Sequence, residues 1–118
     1  MELMIAVAVV AIVAAFAIPS YQRSVQRSYW QAARDILMAI YSGEQVYFAA
    51  DNKFYAPGVW SKIYTDNPNG VIPVTFSVVE NGLTGAAATF TATATYTPNG
   101  QTQTVNQNRV FGGTWAQP

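Results

Sequence analysis

Residues 1–22, MELMIAVAVVAIVAAFAIPSYQ, decide the reading of the whole chain. Glu2 is the only charged side chain in this stretch, and no Asp, Glu, Lys or Arg follows until Arg23. Every position from Leu3 to Ile18 is Ala, Val, Ile, Leu, Met or Phe. A run of about 20 such residues matches the helix length that crosses a bilayer core. Being apolar all round, it suits a helix surrounded by lipid or by other helices. Val and Ile are modest helix formers in water, so this helix needs an apolar environment. A simple anchor requires neither a carboxylate at its start nor a proline at its end. Pro19 lacks an N–H and crowds the preceding turn, which predicts a kink or loosening over residues 15–19 and not an end to the helix.

The helical period resumes beyond the proline. Apolar residues fall at Tyr21, Val25, Tyr29, Ala32, Ala33, Ile36, Leu37, Ile40, Tyr41, Tyr47 and Phe48. Steps of three and four are the mark of one buried helical face. Residues 1–50 therefore read as one helix of about 75 Å, greasy in its first half and amphipathic in its second. A helix of that length cannot fold back inside so small a body, so half of it protrudes.

Asp51 and Asn52 end the helix. Residues 51–70 carry the breakers Pro57-Gly58 and Asp66-Asn67-Pro68-Asn69-Gly70. They also carry Phe54, Tyr55, Trp60, Ile63 and Tyr64, so this segment is expected to fold against the body. Strand patterns follow. Residues 71–80 are β-branched and apolar, with Pro73 tolerable at a strand start or edge. Residues 86–97 alternate, with Phe90, Ala92, Ala94 and Tyr96 on one face and Thr89, Thr91, Thr93, Thr95 and Thr97 on the other. The small inward alanines let a helix lie close across the sheet. Pro98-Asn99-Gly100 is a hairpin turn. Residues 101–111 read as a third, more polar strand at an edge, broken by Gly112-Gly113. Residues 112–118 form a tail whose Trp115 packs back on the body.

Composition narrows the function classes. The 118 residues suit one domain, and six basic residues balance six acidic ones. Nucleic-acid binders are usually basic, so no general electrostatic case for one exists. The chain has no cysteine and no histidine. That removes disulfides, thiol nucleophiles, the commonest general base and the commonest metal ligand. No nucleophile motif or phosphate-cradling glycine loop is present, so the sequence does not read as an enzyme and implies no cofactor.

The run Glu2-Leu3-Met4-Ile5, the uncharged stretch, and Ala17-Ile18-Pro19-Ser20-Tyr21 together resemble the N-terminal signature of bacterial type IV pilins and the related pseudopilins. The resemblance is specific over about the first fifty residues; beyond them it lies in the order of elements and in a C-terminal Phe-Gly-Gly…Trp stretch. It implies an α+β pilin-like fold: a long N-terminal helix, kinked at Pro19, whose C-terminal half packs on an antiparallel sheet of three to four strands. It divides the chain into a hydrophobic helix half, residues 1–22, and a head, residues 23–118.

As a partner set, the resemblance implies a homo-oligomeric helical filament, the inner membrane before assembly, a prepilin peptidase and the pilus assembly machinery. The protein would pass from an inner-membrane precursor to an extracellular surface filament serving adhesion, twitching motility or DNA uptake. Nucleic acid enters only indirectly, through uptake. Two departures stand out. The family has three or four residues before its glutamate, beginning with an N-methylated phenylalanine, whereas Met1 alone precedes Glu2. Either the sequence begins within the mature chain or its start is unusual. The basic residues beyond the apolar run, on the side that faces outward, favour the first, because positive charge normally stays cytoplasmic. Many relatives also close a C-terminal loop with a disulfide, which this chain cannot form.

The residues expected to carry assembly are Glu2, Leu3, Ile5, Val9, Ile12, Phe16 and Pro19. A lone carboxylate in an apolar helix is costly to bury unless it meets a cation. The α-amino group of an adjacent subunit is the nearest candidate, and that pairing would set the axial register. The plainer alternative leaves Glu2 solvated at the membrane interface. Pro19 either only kinks the helix or lets residues 14–19 unwind as the helix leaves lipid. Arg23, Arg27, Arg34, Asp35 and Glu44 are candidates for charge pairing between subunits, against an ordinary solvated face. The aromatics Tyr21, Tyr29, Trp30, Tyr41, Tyr47 and Phe48 are expected to pack on the sheet and not to form an electron path. Asp51, Asp66 and Glu80 are too scattered to read as a calcium site.

Two further readings compete with the pilin. One is a pseudopilin or minor pilin of a type II secretion system, separated by abundance in sheared surface filaments. The other is a secreted binding module behind a signal peptide, with residues 3–15 as its apolar core and Ala15-Phe16-Ala17 as the cleavage site. Loss of residues 1–17 from the mature mass would identify it.

Overall fold

A computed structural model describes residues 1–118. One helix, α1, runs from Glu2 to Asp51. At 1.5 Å per residue its 50 residues account for the 75 Å long axis of the molecule. The helix assignment is continuous through Pro19, so the expected loosening before the proline does not interrupt α1 in the isolated subunit. Asn52 ends it in the left-handed conformation, φ 60°, with its N–H donating to the Phe48 carbonyl at 2.7 Å. Asn tolerates that conformation better than most residues, which explains why the helix stops there.

Four strands make an antiparallel meander in sequence order: β1 (Val74–Glu80), β2 (Phe90–Tyr96), β3 (Gln101–Asn106) and β4 (Phe111–Gly112). β1 and β2 pair from Val74↔Tyr96 to Glu80↔Phe90, and β2 and β3 from Tyr96↔Gln101 to Thr91↔Asn106. The fold is therefore α+β, with one long helix on a four-stranded antiparallel sheet.

The strand boundaries correct the sequence expectations in three places. β1 begins at Val74 and not at residue 71, because Pro73 has no N–H for a ladder. β2 begins at Phe90, since residues 85–87 wind into a short 3-10 turn. The expected third strand over 101–111 is two strands. The side chain of Asn106 accepts hydrogen bonds from the N–H groups of Asn108 and Val110, at 3.0 and 3.1 Å, and folds the chain into a turn. β3 therefore lies inside the sheet, and the two-residue β4 is its edge. Gly112 belongs to that edge, and Gly113, φ 102°, is where the chain turns away.

The core lies between the sheet and the second half of α1. Ala33, Leu37 and Ile40 of the helix meet Phe76, Phe90, Ala92, Ala94, Tyr96 and Val105 of the sheet. Ala92 and Ala94 are fully buried, as is Ala33, so small residues on both elements allow the close approach that the alternation predicts. The Thr side of β2 faces outward. Each large side chain buried here, such as Leu37 or Phe90, stabilises the head by about 1.5–3 kcal/mol.

The tail closes one end of this core. Trp115 is buried and stacks on Tyr96 with ring centroids 4.8 Å apart. Its N–H donates to the Thr102 carbonyl at 2.7 Å, and its own carbonyl accepts from the Trp30 indole at 3.0 Å. Packing and hydrogen bonds thus hold the C-terminal region without a disulfide.

Candidate functional site

The candidate site is the protruding half of α1 and the charged collar where it enters the head. Nothing in the subunit covers residues 1–13 or 15–24, all of which are exposed. Leu3, Ile5, Val9, Ile12 and Phe16 stand between 54 % and 82 % exposed. A contiguous apolar surface of this kind on an isolated chain marks a contact with lipid or protein. By length and composition the helix half is able to cross a membrane. On an ideal helix Glu2, Ile5, Val9, Ile12, Phe16, Pro19, Arg23, Arg27 and Arg34 fall within an arc of roughly 100°, while Leu3 lies on another side. One stripe therefore runs from the lone carboxylate through the apolar half into the basic residues.

The charged residues of the collar differ in their settings. Arg23 and Asp35 are exposed. Arg27 is exposed and donates to the Pro118 carbonyl at 3.3 Å. Arg34 is half-buried between aromatic rings, its guanidinium carbon 4.0 Å from the Phe111 centroid and 4.8 Å from that of Trp30. Its Nε is buried with no hydrogen-bond partner. The two rings hold the guanidinium by cation–π attraction, a firmer setting than the solvated face the sequence allows.

Glu44 requires a correction. The sequence makes it a charge available to a neighbouring subunit, but it is completely buried within its own head. Its Oε2 accepts the Tyr55 N–H at 2.8 Å, and Oε1 has no partner. Burial pushes the carboxyl up from 4.5 to about 7; the Tyr55 hydrogen bond opposes this, and the charge of Glu80 adds to it.

Gly43, immediately before it, is the residue the sequence reading missed. It lies where the 3-10 turn Trp60–Ile63 crosses the helix against the Ile63 carbonyl. A glycine inside a helix is unfavourable by about 1 kcal/mol, and that mismatch was the available signal.

The other candidates resolve simply. Tyr29, Trp30, Tyr41, Tyr47 and Phe48 pack against the core cluster, whereas Tyr21 is exposed. Asp51, Asp66 and Glu80 belong to no group of three or more acidic side chains that could hold a metal ion. A shallow cavity of about 380 Å³ lies where α1 leaves the head, lined by Tyr21, Gln22, Val25, Gln26 and Tyr96.

In comparisons with known proteins, no family, no curated protein and no solved structure matches this chain. The protein class rests on the architecture itself: a long, apolar N-terminal helix whose second half packs on an antiparallel sheet, consistent with a pilin-like fold.

Proposed function

We propose that the chain is the structural subunit of a type IV pilus filament, held in the inner membrane as a precursor and polymerised through its N-terminal helix into an extracellular fibre. The observation that carries this reading is the uncovered apolar half of α1, continuous with the head and bearing one carboxylate, Glu2, at its start. A membrane anchor explains the greasy surface. The carboxylate adds something an anchor does not need, because burying it ionised favours a partner cation. In a filament that cation is the α-amino group of an adjacent subunit. Arg23, Arg27 and Asp35 stand on the exposed collar where neighbouring heads would meet. Pro19 removes one backbone hydrogen bond at the junction and supplies a point where the helix adjusts depth during assembly.

The test is Glu2→Ala in the producing cell. Sheared surface filaments are expected to disappear or to fall by about tenfold or more. The subunit still accumulates in the membrane fraction. Normal filament yield from that variant refutes the proposal.

A further inference from the structure

The buried carboxyl of Glu44 lies outside the assembly stripe and has a role of its own. It sits beneath residues 53–64, which cross the helix at Gly43 and return to the sheet. Phe54 and Ile63 anchor this segment by burial. Its hydrogen bonds to other elements reduce to one, the Tyr55 N–H to Glu44 Oε2 at 2.8 Å. The others its backbone makes, from Lys62 to Val59 and from Tyr64 to Ser61, stay within the segment. Left-handed residues bound it at both ends, Asn52 and Tyr64, each at φ 60°. It is thus a short body with two hinges and one polar latch.

We propose that residues 53–64 form a flap latched by the neutral carboxyl of Glu44, and that ionisation of this buried group loosens the flap while the rest of the head stays folded. The latch contains an unbalanced group: Oε1 is buried without a partner. A neutral carboxyl tolerates that position; a carboxylate there lacks both water and a counter-ion. The titratable groups around it do not supply one. Tyr47 and Asp51 lie on α1, Tyr55 and Lys62 on the flap, and Glu80 at the end of β1. Glu80 raises the cost of ionising Glu44, and Lys62 is placed over the Tyr55 ring, 5.4 Å from its centroid. The remaining route to solvation is for the flap to lift and admit water.

The direction follows from linkage. In the closed head the Glu44 pKa lies near 7, and its ordinary value is 4.5. The closed state therefore binds the proton more tightly than the open one. Closure of the flap is most favourable below pH 4.5, becomes less so as pH rises because the ionised carboxyl stays desolvated beneath it, and has lost this contribution above pH 7. Phe54 and Ile63 hold the flap down at every pH, so ionisation enlarges a minor open population without inverting the equilibrium.

Hydrogen exchange followed by mass spectrometry tests this on the full chain in non-ionic detergent micelles. After correction for intrinsic exchange, protection of residues 53–64 is expected to fall roughly 70-fold between about pH 5 and about pH 8. Protection of residues 37–41 and 90–96 stays unchanged. Glu44→Gln, which keeps an acceptor for the Tyr55 N–H, makes flap protection independent of pH. Glu80→Gln moves the transition to lower pH and keeps the test decisive if the Glu44→Gln head is unstable. Equal flap protection at both pH values in the native chain overturns the proposal. So does a pH response that survives Glu44→Gln, or a loss of protection shared equally by the strands.

Discussion

Gly43→Ala separates helix propensity from packing, because the two predict opposite signs. Considered as a helix position alone, replacing a glycine inside α1 by alanine stabilises by about 1 kcal/mol. The structure predicts the reverse. A Cβ at residue 43 overlaps the carbonyl oxygen of Ile63 and comes within 2.8 Å of its carbon and 3.2 Å of its Cβ. These are mostly backbone atoms, so no side-chain rotation relieves the clash and the 3-10 turn must lift from the helix. Lifting it uncovers Ile63, which is fully buried, at a cost of about 1.5–3 kcal/mol. It also exchanges the Tyr55–Glu44 hydrogen bond for bonds to the water that enters, about 0.5–1.5 kcal/mol more. After the propensity gain is set against these losses, the head is destabilised by about 1–3.5 kcal/mol, a fall in Tm on the order of 10 °C for a domain of this size.

The assay is thermal unfolding of the detergent-solubilised full chain, followed by near-UV circular dichroism. All three tryptophans, Trp30, Trp60 and Trp115, lie in the head, so this signal reports head unfolding and ignores the apolar helix half. Gly58→Ala is the control: the nearest atom to its new Cβ is the Tyr55 hydroxyl at 3.9 Å, and stability should stay within about 0.5 kcal/mol. A Gly43→Ala head as stable as the native one, or more stable, refutes the contact at the crossing point.

Two further expectations follow from the core. Trp115→Ala removes the stacked ring over Tyr96 that locks the C-terminal tail, and urea unfolding should show a loss of about 3–5 kcal/mol. Ala92→Leu overfills the space between β2 and α1, where Ala92 and Ala33 are fully buried, and should cost about 1–3 kcal/mol by the same assay, whereas Thr91→Val on the exposed face should change stability by no more than about 0.5 kcal/mol.

What was legible in the sequence is what depends on periodicity. The 3.6-residue period located the buried helix face from Tyr29 to Phe48 but extended it wrongly to the exposed Tyr21, and the alternation from Phe90 to Tyr96 located the sheet face and its small residues. The split of residues 101–111 was not legible, because it depends on one Asn106 side chain accepting from two later N–H groups, and a polar strand and a polar turn have the same composition. The settings of Glu44 and Arg34 were equally hidden. Helical spacing puts charged residues off the apolar stripe, but it does not show that another segment will cover them. Glu44 disappears under the flap, where Tyr55 is 11 positions further along the sequence, and Arg34 between Trp30 and Phe111, which belongs to the far edge of the sheet.

The apolar half of α1 poses the remaining physical question, since it adds nothing to the core it is attached to. Most helical stability in a protein comes from packing of a buried face, which this segment lacks in the isolated subunit, and a stretch rich in Val and Ile has less intrinsic propensity than most. Its helicity therefore depends on an apolar surrounding, which lipid and neighbouring helices supply equally well. Neither is preferred by Ala, Val, Ile or Leu, because lipid tails are as apolar as these side chains. The preference has to come from a polar group, and before Arg23 the segment has one charged candidate, Glu2. In the filament reading the apolar residues make transfer between lipid and protein nearly neutral, and the carboxylate gives that transfer its direction. Glu2→Gln is accordingly expected to assemble worse than the native chain despite being nearly isosteric, because it retains hydrogen bonding and loses charge. Filament yield equal to native from Glu2→Gln would place the direction in hydrogen bonding instead of in the ion pair.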